Sequence, residues 1–213
     1  MRAVNALVSE TLVAFGSVFS IVDPFSAVPV FLGLAGAESR PAQSRTALRA
    51  SMTCFLVLSV FAAAGGAIFH FFGITIPAFK IAGGILLFGV AADMMRAKHS
   101  TTRTTKEEDE EVREDVGLIP LGLPLLSGPG AIAAVMVLAG NAPSAEGRLA
   151  VHLAVLAVSV LAFLILRSAV FFSRLLGTTG INVIGRLMGL ILAAMAIQFV
   201  LDGAREAFPK VFG

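Results

Sequence analysis

The sequence predicts an all-α membrane protein, with six transmembrane helices in two inverted three-helix repeats and breaks in helices 1 and 4. Three observations support this fold class: the composition, the lengths of the apolar stretches and a weak internal repeat. Of the 213 residues, 57% are hydrophobic and only 14% are charged, which is far more apolar than an ordinary soluble domain. The net charge of +2 is too small to indicate a nucleic-acid partner.

Six apolar stretches are long enough to cross a bilayer. A transmembrane helix needs roughly 20 apolar residues to span a hydrocarbon core about 30 Å thick. The predicted helices cover 3–36, 46–73, 75–96, 117–141, 149–175 and 180–204. Tight turns are expected at Gly73 and Gly177, and the polar, proline-containing segments 38–45 and 141–147 are predicted to be loops.

The segment 96–115 is the longest hydrophilic run, and it mixes both charge signs without apolar periodicity. It predicts a solvated, mobile loop that separates the two repeats. The domain organisation is therefore a single membrane domain over 1–213, made of repeat 1 (1–97), a cytoplasmic loop (98–115) and repeat 2 (116–213).

The placement of lysine and arginine predicts the orientation, because cytoplasmic loops are enriched in both residues. Nine basic residues fall on one side: Arg40, Arg45, Arg49, Arg96, Lys98, Arg103, Lys106, Arg113 and Arg174. Four fall on the other: Arg2, Arg148, Arg205 and Lys210. Both termini are therefore expected on the exterior or periplasmic face of the inner (plasma) membrane.

The two halves of the chain resemble each other at a nearly constant offset. Pro24 in "VDPFSAVPVFLGLAG" corresponds to Pro129 in "SGPGAIAAVMVLAG", and Lys80 in "KIAGGILL" corresponds to Arg186 in "RLMGLILA". The offset stays between 104 and 106. A unit with three crossings, repeated once, must be inverted in the membrane, and inverted repeats are typical of secondary transporters with a binding site near the bilayer midplane.

Two predicted helices contain helix breakers at membrane depth. Asp23 and Pro24 lie inside the first, which at 1.5 Å per residue would be about 50 Å long if it were continuous, and "SGPG" (127–130) lies inside the fourth. Half-helices that begin at Pro24 and Pro129 would direct positive dipole ends towards the centre, where they favour a carboxylate. Asp23 and the freed carbonyl groups would favour an ammonium group or a proton. The pattern therefore predicts a site for a small zwitterion, although a simple proline kink is the alternative reading of "SGPG".

Other polar residues lie within the predicted helices. Lys80 and Arg186 either extend to the membrane interface or brace the core at matching places in the two repeats. Asn182 and Gln198 either line a cavity or form hydrogen bonds between helices. The three histidines are scattered in the sequence, so no metal site or cofactor is expected.

Four stretches of the chain together resemble a known family. The stretches "VDPFSAVPVFLGL", "FKIAGGILLFGVAADMM", "LGLPLLSGPGAIAAVMVL" and "IGRLMGLILAAMAIQFVLDG" together resemble the MarC family of integral membrane proteins, over nearly the whole chain. The resemblance implies a transporter of small neutral amino acids such as alanine and glycine. It assigns substrate binding to Asp23, Pro24, Ser26, Ser127, Gly128, Pro129 and Gly130. Phe25 stands where family members often have glycine.

The functional hypothesis is alternating-access transport of a small neutral amino acid. Export is the candidate direction, a proton the candidate coupling ion and a homo-oligomer a candidate assembly, in contact with the lipid bilayer. A passive small-solute channel and a non-transporting structural membrane protein are the alternatives. An intramembrane enzyme is not expected, because it would need two converging acid or base groups and only Asp23 is deep enough to provide one.

Overall fold

The computed structural model describes residues 2–36, 38–95, 117–142 and 144–209, and every regular element in that part of the chain is helical. The elements are α1 (Arg2–Val22), α2 (Pro24–Ala35), α3 (Arg40–Phe72), α4 (Ile76–Met95), a π-helical segment (Gly117–Leu126), α5 (Pro129–Gly140) and α6 (Ala145–Ala207). This agrees with the all-helical class that the sequence predicts. The loop predicted over 96–115 lies outside the described residues.

The first predicted helix is broken at the aspartate–proline pair. Asp23, which lies between α1 and α2, has the left-handed backbone angles φ 40 and ψ 69. Pro24 is the first residue of α2, a position that suits proline because its missing N–H would have no partner within the helix. α2 then continues through a second proline, Pro29, to Ala35.

The fourth predicted helix is also broken. The π-helical segment Gly117–Leu126 ends two residues before Gly128, whose backbone is extended (φ −62, ψ 166), and Pro129 then opens α5. The two breaks therefore share one design, in which a non-helical residue is followed by a proline that starts a new helix.

α3 begins at Arg40, earlier than the predicted start at residue 46, so the prediction of a loop over 38–45 is wrong for most of its length. The Gln43 side chain, only 2% exposed, donates to the carbonyl oxygens of Ala35 at 3.0 Å and Gly36 at 2.9 Å. These bonds satisfy carbonyl groups at the end of α2 that no helical N–H reaches. The polar residues of 38–45 thus mark the start of α3, which is hydrogen-bonded to the end of α2.

The tight turn predicted at Gly73 is present. Gly73 has the left-handed angles φ 63 and ψ 25, and its N–H bonds to the carbonyl of His70 at 3.2 Å. The next N–H, on Ile74, bonds back to the carbonyl of Phe69 at 2.9 Å. Glycine is favoured at such helix ends because it has no Cβ to clash in the left-handed region.

One element, α6, covers both of the last two predicted helices (149–175 and 180–204). A non-helical turn at Gly177 is therefore a wrong prediction. The stretch contains no proline, and a glycine inside a helix costs only about 1 kcal/mol, so the local sequence permits helical backbone throughout.

α6 is nevertheless not a straight rod. Ser159 and Ser127 both lie beside the Cys54 thiol, and the Phe199 ring lies 3.7 Å from the position that a Cβ on Gly128 would take. Two distant parts of α6 therefore contact the same short segment. A straight helix would separate positions 159 and 199 by about 60 Å, so the helix axis reverses between them.

The C-terminal part of α6 packs antiparallel to α4 through glycines. A Cβ built on Gly203 would lie 2.7 Å from the carbonyl oxygen of Pro77, and one on Gly189 would lie 2.9 Å from Cγ of Met95. The start of α4 therefore meets the end of α6, and the end of α4 meets an earlier part of α6. Small residues allow this close approach of membrane helices.

Four helical stretches in the described part of the chain are long and apolar enough to cross a membrane: Leu7–Ala35, Arg40–Phe72, Ala145–Ala169 and Arg186–Ala207. Two shorter apolar helices accompany them, Ile76–Ala92 and Pro129–Gly140. The last two long stretches belong to α6 on either side of its reversal. This is the architecture of a helical integral membrane protein.

Candidate functional site

The first break exposes polar groups of Asp23 beside the start of α2. The Asp23 N–H bonds to the Phe19 carbonyl at 3.0 Å, and the Asp23 carbonyl accepts from the Ser26 N–H at 3.1 Å. The Ser26 hydroxyl donates to Oδ2 of the Asp23 carboxylate. A left-handed conformation at a residue other than glycine costs about 1–2 kcal/mol, so the fold holds this carboxylate in place against a local preference.

The second break presents the N-terminus of α5. The Ser127 N–H bonds back to the Gly122 carbonyl at 3.0 Å, and the Gly128 carbonyl accepts from the Ile132 N–H at 3.0 Å. Pro129 has no N–H, and the N–H groups of the next residues in the first turn have no partner within the helix. These groups carry the positive end of the helix dipole and suit an anion.

A cavity of about 80 Å³ joins the two breaks. Asp23 and Ser26 form part of its wall from one side, and Gly128 and Gly130 from the other. Asp23, whose side chain is exposed, and the first residues of α5 thus line the same space. The volume exceeds the roughly 10–15 Å³ that one water needs and lies far below the 300 Å³ of a pocket for a drug-sized ligand.

Pro24, Ser127 and Pro129, also predicted for the site, are buried directly beside the cavity without lining it. Pro129 is held by α4, because a Cβ built on Gly83 would lie only 2.4 Å from Cγ of Pro129. These residues shape and position the two helix starts.

Two buried hydroxyl groups lie behind the second break. The Ser127 side chain is 1% exposed and that of Ser159 is 4% exposed. Among the described residues both hydroxyls lie beside the Cys54 thiol, which is a weak hydrogen-bonding group, and neither has a stronger partner. Leaving a buried polar group unsatisfied costs about 1–3 kcal/mol, so these hydroxyls are suited to a bound water or to a polar solute that reaches them.

Comparison with known proteins places the chain in a family. A family model described as "MarC family integral membrane protein" matches residues 8–208. The chain belongs to the MarC family.

Relatives from distant organisms match about nine-tenths of the chain. A UPF0056 membrane protein of Aquifex aeolicus is 41% identical and covers 91% of both chains. YhcE of Escherichia coli is 35% identical over 92% of both chains, and YvbG of Bacillus subtilis is 37% identical over 92% of this chain and 94% of its own. Their names specify no substrate. No solved structure matches the chain.

Three of the four supporting residues predicted for this MarC protein, Lys80, Arg186 and Gln198, do not line the cavity. The ammonium group of Lys80 forms an ion pair with Glu206 at 2.5 Å, Arg186 is exposed, and the Gln198 amide donates to Asp202 at 2.7 Å. The side chain of Asn182 lies outside those described.

The cavity of the MarC protein also has an apolar wall that sequence reasoning did not identify. Leu87 of α4 and Met195 and Phe199 of α6 complete it. Phe199 follows Gln198, which the sequence did single out, but an apolar residue in an apolar helix gives no signal of its own. Phe25 is 62% exposed and its ring meets that of Phe19 edge to face at 6.2 Å, so it does not enter the cavity.

Within the described residues, no group of three or more histidine, cysteine, aspartate or glutamate side chains is arranged to hold a metal ion. The polar chemistry of the cavity therefore comes from one carboxylate, one serine hydroxyl and backbone groups.

Proposed function

We propose that this MarC protein is a secondary transporter of small neutral amino acids of the size of alanine and glycine. The observation that carries the proposal is the cavity between the two breaks, which Asp23 lines together with Gly128 and Gly130 at the start of α5. Transport occurs by alternating access to this cavity from the two membrane faces.

The two ends of a zwitterion match the two polar walls. The substrate ammonium group pairs with Asp23, while the substrate carboxylate accepts from the free N–H groups at the start of α5, beside Gly128 and Gly130. Charge-assisted bonds of this kind are the strong ones in a dry site. Broken helices with exposed ends are the usual form of a mid-membrane transport site.

The dimensions of the cavity and its apolar wall limit the substrate. About 80 Å³ suits a solute of a few heavy atoms, and Leu87, Met195 and Phe199 offer contacts for a methyl group. An additional methylene in such a pocket changes discrimination by about 1–3 kcal/mol. We therefore expect alanine and glycine to be preferred over leucine and phenylalanine.

The topology proposed for transport has six crossings in two inverted repeats, with both termini outside. The proposed direction of transport is export, and the proposed coupling ion is a proton. Three features of the fold support the topology. Gly73 connects α3 to α4 through a tight turn, α6 reverses between Ser159 and Phe199, and the end of α6 lies antiparallel to α4 at Gly203. The excess of lysine and arginine in the predicted inner loops supports the orientation. Reporter fusions after residue 105 and at the C-terminus are expected to report opposite sides, and the same side for both would refute the topology.

The decisive experiment uses purified protein in proteoliposomes. Labelled alanine and glycine are expected to enter or leave with saturable kinetics, and an imposed proton gradient is expected to drive accumulation. Saturable flux that does not respond to the proton gradient would exclude proton coupling but would still support a carrier mechanism. Flux that rises linearly with concentration would favour a passive channel, and the absence of any alanine-dependent flux would refute the assignment.

A further inference from the structure

A second and larger cavity lies at the other end of α1. This outer cleft, of about 350 Å³, lies between the first half of α1, the end of α5 and the first turn of α6. Its polar residues include Glu10 and Asn141, and its apolar wall includes Val13, Leu138 and Val151. The volume falls in the range of ligand pockets, which are mostly apolar with a few placed polar groups. The proposed transport site does not include it.

Glu10 is the charged group of the outer cleft. The side chain is exposed and makes no hydrogen bond or ion pair with a described residue. Its Oε2 lies 3.2 Å from the position that a Cβ on Gly147 would take, at the first turn of α6. The cleft therefore presents a carboxylate that has no partner among the described residues and attracts a cation. It lies beside the first turn of α6, where the Gly147 N–H donates to the hydroxyl of Ser144 at 3.0 Å and Arg148 supplies the positive charge.

The outer cleft opens towards the lipid-facing side of α1. Glu10 lies near the start of the apolar stretch Leu7–Ala35, and a charged side chain is costly in the hydrocarbon core, so this end of α1 is expected at the level of the lipid headgroups. Leu12 and Val13 on the same helix are 64% and 70% exposed, and in a membrane such apolar side chains face acyl chains. A lipid can therefore enter the cleft from the bilayer.

We propose that the outer cleft binds an aminophospholipid whose headgroup carries a primary ammonium group. The ammonium group donates to Glu10 and to the amide oxygen of Asn141, the phosphate lies at the start of α6 near the exposed Arg148, and the first acyl methylenes cover Val13 and Leu138. A free amino acid would pair with the polar groups but would leave the apolar wall uncovered. The apolar wall thus favours a lipid over a water-soluble zwitterion.

The test is a methylation series of phospholipids with identical acyl chains, bound to the full-length protein and measured by native mass spectrometry. Phosphatidylethanolamine is expected to be retained about two- to fivefold more than phosphatidylcholine, the effect of one partly exposed charged contact. The mono- and dimethylated lipids should fall between them, because each methyl group removes a donor. Equal retention across the series would overturn the proposal, and this arm requires no variant.

Two matched variants locate the preference. Glu10→Gln is expected to abolish it, whereas Glu146→Gln, which removes an exposed carboxylate from the same turn of α6 outside the cleft, is expected to keep it. A preference that survives Glu10→Gln, or is lost equally in both variants, contradicts the proposal. Displacement of the bound lipid by free alanine would identify the cleft as a vestibule for substrate instead. Transport activity enters none of these measurements, so the result is independent of the proposed function.

Discussion

Gly83 of α4 packs directly against Pro129, the residue that opens α5. A Cβ at position 83 would lie 2.4 Å from Cγ of Pro129, closer than any real carbon contact. This relationship connects the helix break to a neighbouring helix, and it makes the glycine a requirement of the site.

The first prediction concerns this contact. Gly83→Ala should displace Pro129 and the start of α5, lowering stability by about 1–3 kcal/mol through overpacking and reducing alanine transport. Gly89→Ala on the same helix, where nothing lies within 4 Å, should leave both unchanged. Thermal unfolding in detergent and alanine counterflow measure the two effects. Unchanged unfolding temperature and alanine counterflow in Gly83→Ala would show that α4 can shift to accommodate the methyl group without loss of stability or transport.

The second prediction concerns the carboxylate of the cavity. Asp23→Asn keeps the shape and one oxygen but removes the charge, and the loss of one charge-assisted bond costs about 1.5–3 kcal/mol, roughly ten- to a hundredfold in affinity. The variant should insert and fold normally yet bind alanine much more weakly.

The matched control is Asp202→Asn, which alters a carboxylate that accepts from Gln198 at 2.7 Å and does not line the cavity. Its alanine affinity should equal that of the unmodified protein, measured by titration of purified samples. Equal affinity in Asp23→Asn as well would reduce Asp23 to a local cap for α2.

The third prediction concerns the buried hydroxyl of Ser127. Ser127→Ala removes a hydroxyl that lies beside the Cys54 thiol, a weak hydrogen-bonding group, so the protein should lose little or no stability. Alanine affinity should nevertheless fall about fivefold if substrate or a bound water uses this hydroxyl. Ser168→Ala, which alters an exposed hydroxyl bonded to the Ile165 carbonyl at 2.7 Å, is the control. Reduced stability with unchanged affinity would assign Ser127 a packing role alone.

The fourth prediction decides between the two roles that the sequence left open for Lys80 and Arg186. The Lys80 and Glu206 side chains are 19% and 47% exposed, so Lys80→Met should lower stability by no more than about 1 kcal/mol and retain transport. Arg186→Met, at an exposed position, should change stability by less than about 0.5 kcal/mol. Loss of folding or of transport in either variant would instead indicate a brace.

The fifth prediction concerns the reversal of α6. Val160 and Leu201 are 49% and 44% exposed, so spin labels at these positions are tolerated. Pulsed electron resonance in nanodiscs should give a separation of about half the 60 Å expected of a straight helix. A distance near 60 Å would mean that α6 is straight in the membrane and does not reverse.

Much of the candidate site was predictable from the sequence, for a local reason. A proline removes a helical hydrogen bond and clashes with the preceding turn, so Pro24 after Asp23 and Pro129 within "SGPG" indicated the places of the two breaks. Proline alone does not decide a break, because α2 continues through Pro29. The left-handed turn at Gly73 was equally local. The near-constant offset between the two halves also predicted that the breaks would occupy corresponding positions.

Tertiary structure alone decided the remaining features, because they depend on contacts between distant residues. The tertiary fold brings together Lys80 and Glu206, Gly83 and Pro129, and Glu10 and Gly147. No local sequence pattern encodes such pairs. The loop predicted over 38–45 was wrong because the polar Gln43 is not solvated. Its amide donates to the carbonyl groups at the end of α2. At Gly177 the backbone is helical, and the reversal of α6 became visible only through the positions of Ser159 and Phe199 beside the second break. Local sterics thus determined where the helices break, and close packing determined what those breaks enclose.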